Sequence, residues 1–200
     1  MHPPITNPTL IQIASAVTSL LSSTIAHNDP LISSLLPTSA TQMSTPFYSA
    51  KPHSFSLYSY VLRIISLTAE SCSPAAFVVP LIYLSILTSK DKSFAVNSHN
   101  VCRLLAASSL VAHKMLDDEV WSNEYWAKVA GVKNPEEMNR LEMTLLKACD
   151  FRMSIKEEEF RFAVKTLRLE HLTEIQIDVA AETEEGDESE ECDGIDQDHE

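Results

Sequence analysis

The side chains best placed for chemistry gather at the end of one apolar run, LLAASSLVAHKMLDDE, from Leu104 to Glu119. His113 and Asp117 stand at i and i+4, so a helix would put imidazole and carboxylate on one face, with Asp118 beside them. That is the beginning of a metal site. It is incomplete, because His53, His99 and His171 have no obvious mates and no second cluster adds ligands. A solvated helix end is the better reading, with no metal and no cofactor implied. Lys114 poses a different question. An ammonium suits a helix C-terminus, yet this one sits between an apolar helix and three carboxylates, Asp117, Asp118 and Glu119. It is placed to meet something outside the chain. Glu157, Glu158 and Glu159 read as the acidic first turn of a helix. No G-x-S-x-G, no phosphate-binding loop and no nucleophile beside a base is present. The expectation is a binding protein without catalytic residues, and not an enzyme.

Composition narrows what can position these groups. Two hundred residues suit one domain with tails, and 44% hydrophobic residues is ordinary for a packed core. Three glycines are too few for a turn-rich β fold, so the class is all-α. A net charge of −13 opposes binding nucleic acid through its phosphates. Cys72, Cys102, Cys149 and Cys192 form no C-x-x-C pair, which suits small buried groups in a reducing, intracellular compartment. No run reads as a membrane span, and no Lys or Arg precedes Lys51, which argues against a signal or transit peptide.

Periodicity then sets the elements. Asn7 and Pro8 open a helix to about Ala26, with an apolar stripe of Ile11, Ala14, Val17, Leu21 and Ile25 that must be covered. Residues 37–53 read as a strap, with Phe47 and Tyr48 as anchors. A helix over about 54–69 carries Leu57, Val61, Ile64, Ile65 and Thr68 on one face. The next, capped by Ser73, is apolar nearly all round and reads as the central buried helix, kinked at Pro80. Asn97 caps the helix of the opening run. A short helix follows Ser122 and stops at Gly131. Asn134, Pro135 and Glu137 begin the best-signalled helix, and Ser154 with Glu157 signals a last short one. From about Asp178 the chain is acidic, lacks Lys and Arg, and is expected to be disordered. The divisions are 1–53 (helix and strap), 54–153 (five-helix core), 154–177 (short C-terminal helix) and 178–200 (tail).

Four segments carry a resemblance: YVLRIISLTAESCSPAAFVVPLIYL, NVCRLLAASSLVAHKMLDDE, SNEYWAKVAGV and EEMNRLEMTLLKACDF. In order and spacing they are similar to the five helices of a cyclin box, most of all that of the phosphate-regulon, P- or U-type cyclins. The resemblance covers about Tyr58 to Glu170. It implies a regulatory cyclin subunit, a monomer before it binds and activates a cyclin-dependent protein kinase, acting in the nucleus or cytoplasm in cell-cycle, phosphate or nutrient control. It also implies roles. Lys114 and Glu142 match the charged pair that grips backbone groups around the kinase's movable regulatory helix. Met115, Leu146, Phe151 and Met153 fall in the apolar part of the same surface.

Departures accompany the match. Where the family's second helix commonly carries Asp-Arg, this chain has Ser85 and Ile86, so the aspartate's buried ion pair with the first helix is absent and Arg63 needs another partner. There is no M-R-A-I-L type docking motif, and one short helix and the tail are all that follow Phe151 in these residues. The alternative reading is an all-helical adaptor whose diverged box binds a non-kinase partner. A nucleic-acid-binding use of the fold is disfavoured by the charge.

Overall fold

The computed structural model of the chain describes residues 5–35, 45–91, 94–172 and 175. The expected disordered tail, 178–200, and the first part of the strap lie outside the described residues. Seven α-helices and one 3₁₀ turn account for the regular structure among the described residues, as expected of an all-α chain. They are α1 (Pro8–Leu35), α2 (Leu57–Thr68), the 3₁₀ turn (Pro74–Phe77), α3 (Val79–Lys90), α4 (Val101–Leu116), α5 (Asn123–Ala130), α6 (Pro135–Ala148) and α7 (Glu157–Thr166).

The centre is α4, and not the apolar segment after Ser73. It packs against the 3₁₀ turn, α3, α5 and α6. Its run Ala106, Ala107, Ser108, Ser109 and Ala112 is buried, and such small side chains let neighbouring helices approach from several directions. The Ser108 hydroxyl donates to the Leu104 carbonyl at 2.7 Å, so a buried polar group remains paired. The segment after Ser73 is also divided differently from the expected kinked helix. A 3₁₀ turn takes Pro74–Phe77, and Pro80 falls in the first turn of α3. There its missing N–H breaks no helical bond, and no kink is needed. The apolar girth of α3 is covered by α4, α7 and the 3₁₀ turn.

Capping residues explain most of the boundaries. Ser122 accepts from the Tyr125 N–H, and Asn134 from the Glu137 N–H at 2.9 Å. Gly131 ends α5 at φ +66°, a left-handed position that a Cβ would strain. Two expected caps move. Asn97 shapes the turn before α4, where its carbonyl accepts from Asn100 and Val101, and the N-cap residue itself is Asn100. Helix α7 begins at Glu157 with Glu159 accepting from the Lys156 N–H at 3.1 Å, so the expected Ser154–Glu157 box is displaced.

Helix α1 runs nine residues past its expected end and carries Pro30 inside it. Tertiary bonds hold the extension. The Asn28 amide donates to the Val96 carbonyl at 2.8 Å, and Asp29 accepts from the Ser98 N–H at 3.0 Å. Its buried face is Leu10, Ile13, Ala14, Val17 and Leu21, against α2 and the 3₁₀ turn. Ile11, expected in the stripe, points outward at 37% exposure. Contrary to the expectation from sequence, Pro8–Leu31 is long and apolar enough to cross a membrane by length and composition. Here one face of it is part of the core.

The strap is pinned where expected. Phe47 is buried, Tyr48 stacks on His99 with ring centroids 4.8 Å apart, and Ser49 and His99 exchange two hydrogen bonds of 2.9 and 2.8 Å. Arg63 finds another partner, as its lost aspartate required. It donates to the carbonyls of Val129 and Lys128, both at 2.9 Å, and so caps the C-terminal end of α5. Leu21→Asp should therefore place a carboxylate in the core without a partner. We expect a stability loss of about 3 kcal/mol or more and faster proteolysis within α1. A melting curve and limited proteolysis check both, and an unchanged protease pattern would contradict the docked helix.

Candidate functional site

The last turn of α4 presents two neighbouring side chains to opposite sides. His113 is fully buried and Lys114 reaches the surface. His113 Nε2 accepts from the Trp121 N–H at 3.1 Å, which requires a lone pair there and leaves the ring proton on Nδ1. Nδ1 then donates to Asp117 Oδ2 at 3.0 Å, with Cys72 Sγ also within 3.2 Å. The other Asp117 oxygen accepts from the Ser73 N–H at 2.8 Å.

Cys72, His113 and Asp117 bring their ligand atoms within 4.8 Å of one another, so the spacing argument for His113 and Asp117 meets a real cluster. Its third member is Cys72, and not the exposed Asp118. The donor set does not suit a metal. A ligating Nδ1 would need the lone pair that the tautomer has given up, and ligation there would force Nε2–H against the Trp121 N–H. Nor does it suit a nucleophile. Burial, and secondarily Asp117, push the Cys72 thiol up to about 12, away from thiolate. The group is a structural hydrogen-bond network.

Lys114 Nζ lies 2.6 Å from Glu142 Oε1 on α6, with side-chain exposures of 31% and 16%. The second carboxylate oxygen accepts from the Asn123 amide at 2.6 Å, and that amide also reaches Asn139 at 2.6 Å. The expected pair thus exists, and it belongs to a four-residue polar cluster. Asn123 and Asn139 were not foreseen. Asn123 is half-buried at the start of α5 and Asn139 exposed on α6, and only the packing of α5 on α6 brings them to Glu142.

Exposed apolar side chains follow both members of the pair in the chain, and another lies past the end of α6. Met115 is 51% exposed, Met143 45% and Phe151 61%. Leu146 is half-buried against the core. Met153, placed by resemblance in the same apolar surface, is instead buried, and its carbonyl accepts from the Tyr83 hydroxyl at 2.9 Å. The turn after α6 separates Phe151 from Met153. Asp150 and Phe151 both take left-handed φ, +52° and +58°, which costs a residue with a Cβ roughly 1 kcal/mol or more. The Phe151 N–H closes the helix end on the Leu146 carbonyl at 2.8 Å, and Lys90 pairs with Asp150. The backbone strain sends the aromatic ring into solvent and turns Met153 back into the core.

Comparison with known proteins decides the family. The cyclin family profile matches residues 9–153, most of the chain. The chain is a P/U-type cyclin. It is 34% identical over 154 residues to Cyclin-U4-1 of Arabidopsis thaliana, covering 77% of this chain and 74% of the relative. It is 39% identical over 114 residues to Cyclin-U1-1 of Arabidopsis thaliana, covering 57% and 53%, and 37% identical over 117 residues to Cyclin-P3-1 of Oryza sativa subsp. japonica, covering 58% and 48%. It therefore spans about three quarters of the first relative and about half of the other two. The family match begins in α1, so the box expected over 54–153 has its N-terminal helix inside the same family unit. A regulatory role follows from membership.

Two outcomes test this geometry. Phe151→Gly should leave stability unchanged or raise it by up to about 1 kcal/mol, because it removes an exposed ring and left-handed strain together. A loss of several kcal/mol in a denaturant melt would mean that the ring is a core contact. The buried acids predict alkaline behaviour. Burial pushes Cys72 and Cys102 from 9.0 up to about 12 and raises Tyr60 and Tyr83 as well. Below the unfolded thiol value both states are protonated, and stability is level. Above it the unfolded chain ionises first, so stability falls as pH rises from about 9 towards 12. A melting midpoint that rises over that range would contradict the burial.

Proposed function

We propose that this cyclin binds a cyclin-dependent protein kinase through the surface around Lys114 and Glu142 and favours the kinase's active state. The single observation that carries the reading is the 2.6 Å pair held partly exposed, with exposed Met115 and Met143 following its two members in the chain. An isolated surface ion pair contributes little to folding, so a pair steadied by Asn123 has a better use in recognition. The ammonium carries three N–H groups, and the carboxylate has spare lone pairs. Together they offer a partner's backbone both a donor and an acceptor. Met115, Met143 and Phe151 supply the apolar anchors that flank polar groups in energetic interface centres.

The mechanism is conformational, and no chemistry is done on this chain. The surface binds the active arrangement of the kinase, with its Lys–Glu ion pair and metal-holding aspartate in place, more tightly than the inactive one. Activation equals that difference in affinity. The reading carries with it an intracellular location, nuclear or cytoplasmic, and a monomer before the kinase joins.

Lys114→Ala or Glu142→Ala should weaken kinase binding by roughly tenfold or more, as when one member of a desolvated interface pair is removed, with little change in melting midpoint. The measurement is titration of cyclin-dependent kinases with wild type and both variants, together with phosphorylation of a histone-type substrate. Binding that is indifferent to both substitutions removes the basis of the proposal. If kinases are not bound at all, the adaptor reading takes its place.

A further inference from the structure

The opposite end of α4 carries a feature independent of the kinase-facing reading. An open cleft of about 680 Å³ runs between the strap, α2, the N-terminal end of α4 and the loop from α5 to α6. Lys51, His53, Arg63, His99, Arg103 and Lys133 line it. The formal charge of the chain is −13 and it has only 15 Lys and Arg. Four of these cations face one cleft, and among the described residues Glu137 is the one carboxylate that lines it.

The cations are held in different ways, and the difference matters. Arg63 is anchored by the α5 carbonyls and Arg103 by the Pro46 carbonyl at 2.7 Å and Glu137 at 2.6 Å. These two are positioned in advance, at little further entropic cost when a ligand arrives. Lys51 and Lys133 are exposed and have no ion pair among the described residues. Both histidines fix Nδ1 on a backbone carbonyl, His53 on Phe55 at 2.9 Å and His99 on Ser49 at 2.8 Å. Nε2 is then the free ring position of each. That of His53 is buried and has no hydrogen-bond partner among the described residues. An unpaired buried polar atom is costly, and with Nδ1 donating this lone pair would accept a backbone N–H of a bound peptide.

We propose that this cleft binds a phosphorylated serine or threonine on a partner protein. Guanidinium forks and mobile ammoniums suit a compact dianion with several acceptor oxygens. The electrostatics select against longer polyanions. Screening confines the attraction to about 8 Å at physiological ionic strength. Beyond that reach the acidic remainder of the chain repels nucleic acid and carboxylate runs. Half-exposed Phe55, with Tyr60 and Val132, provides apolar wall for a side chain next to the phosphate. A helical rise of roughly 16 Å separates Arg103 from Lys114, so the cleft and the kinase-facing surface can be occupied together.

The test uses the full chain and a fluorescein-labelled degenerate peptide pool with one fixed phosphoserine, against its unphosphorylated twin. Fluorescence anisotropy at physiological salt should show at least ~10-fold tighter binding of the phosphorylated pool, the scale of one or two charge-assisted hydrogen bonds. Inorganic phosphate should compete. Lys51→Glu with Lys133→Glu, both at exposed positions, should abolish the preference while melting and kinase titration stay as in wild type. Equal binding of the two pools overturns the proposal, as does a preference that survives the double substitution. Competition by a peptide of residues 178–200 as strong as that by the phosphorylated pool also overturns it, because the cleft would then be reading carboxylates. Failure here leaves the Lys114 and Glu142 titrations untouched.

Discussion

The hydrogen bonds of one buried imidazole hold the working end of the molecule together. His113 accepts from Trp121 and donates to Asp117, and Asp117 in turn accepts from Ser73. Those bonds fold the acidic turn after α4 back onto the residues before the 3₁₀ turn. They also set where the chain re-enters a helix at Asn123, whose amide reaches Glu142. A helix end is a place of unsatisfied carbonyls and fraying. Here two side chains at that end, His113 and Asp117, tie it down by accepting the backbone N–H groups of Trp121 and Ser73. Lys114, one residue along, is thereby directed outward from a rigid base, the condition under which a surface charge has directional value.

The same division between a fixed base and an exposed tip recurs after α6. Met153 is locked in the core through Tyr83, Asp150 is tied to Lys90, and Phe151 projects from two consecutive left-handed residues. Strain of this kind persists only where surrounding contacts over-determine it. The cleft at the other end of α4 follows a related plan, with Arg63 and Arg103 committed to carbonyls and Lys51 and Lys133 left exposed. Helix α4, packed on most sides, serves as the rod along which these surfaces are spaced.

The all-α class was legible because three glycines and a 3.6-residue repeat leave few alternatives. Helix ends marked by local chemistry, at Ser122, Gly131 and Asn134, were legible too, since a cap bonds within its own turn. The stripe of α2 read correctly at every residue: Leu57, Val61, Ile64, Ile65 and Thr68 are all buried. Lys114 and Glu142 were found through a motif, and they meet as that motif implies.

What periodicity could not supply was anything settled between segments. The length of α1 depends on Asn28 and Asp29 meeting the turn before α4, a partner 68 residues away in the chain for Asn28. The choice of α4 over α3 as the centre depends on which helix has small residues where neighbours cross, while average hydrophobicity favours α3. Met153 and Phe151 are both apolar and two residues apart, and only the left-handed turn at Asp150 and Phe151 decides which one is exposed. Asn123 and the cationic cleft are invisible in one dimension for the same reason. Sequence determines what each short segment can do by itself, through sterics and local hydrogen bonds. Which side chains share a surface is decided by packing, where contacts distant in the chain outweigh local preference.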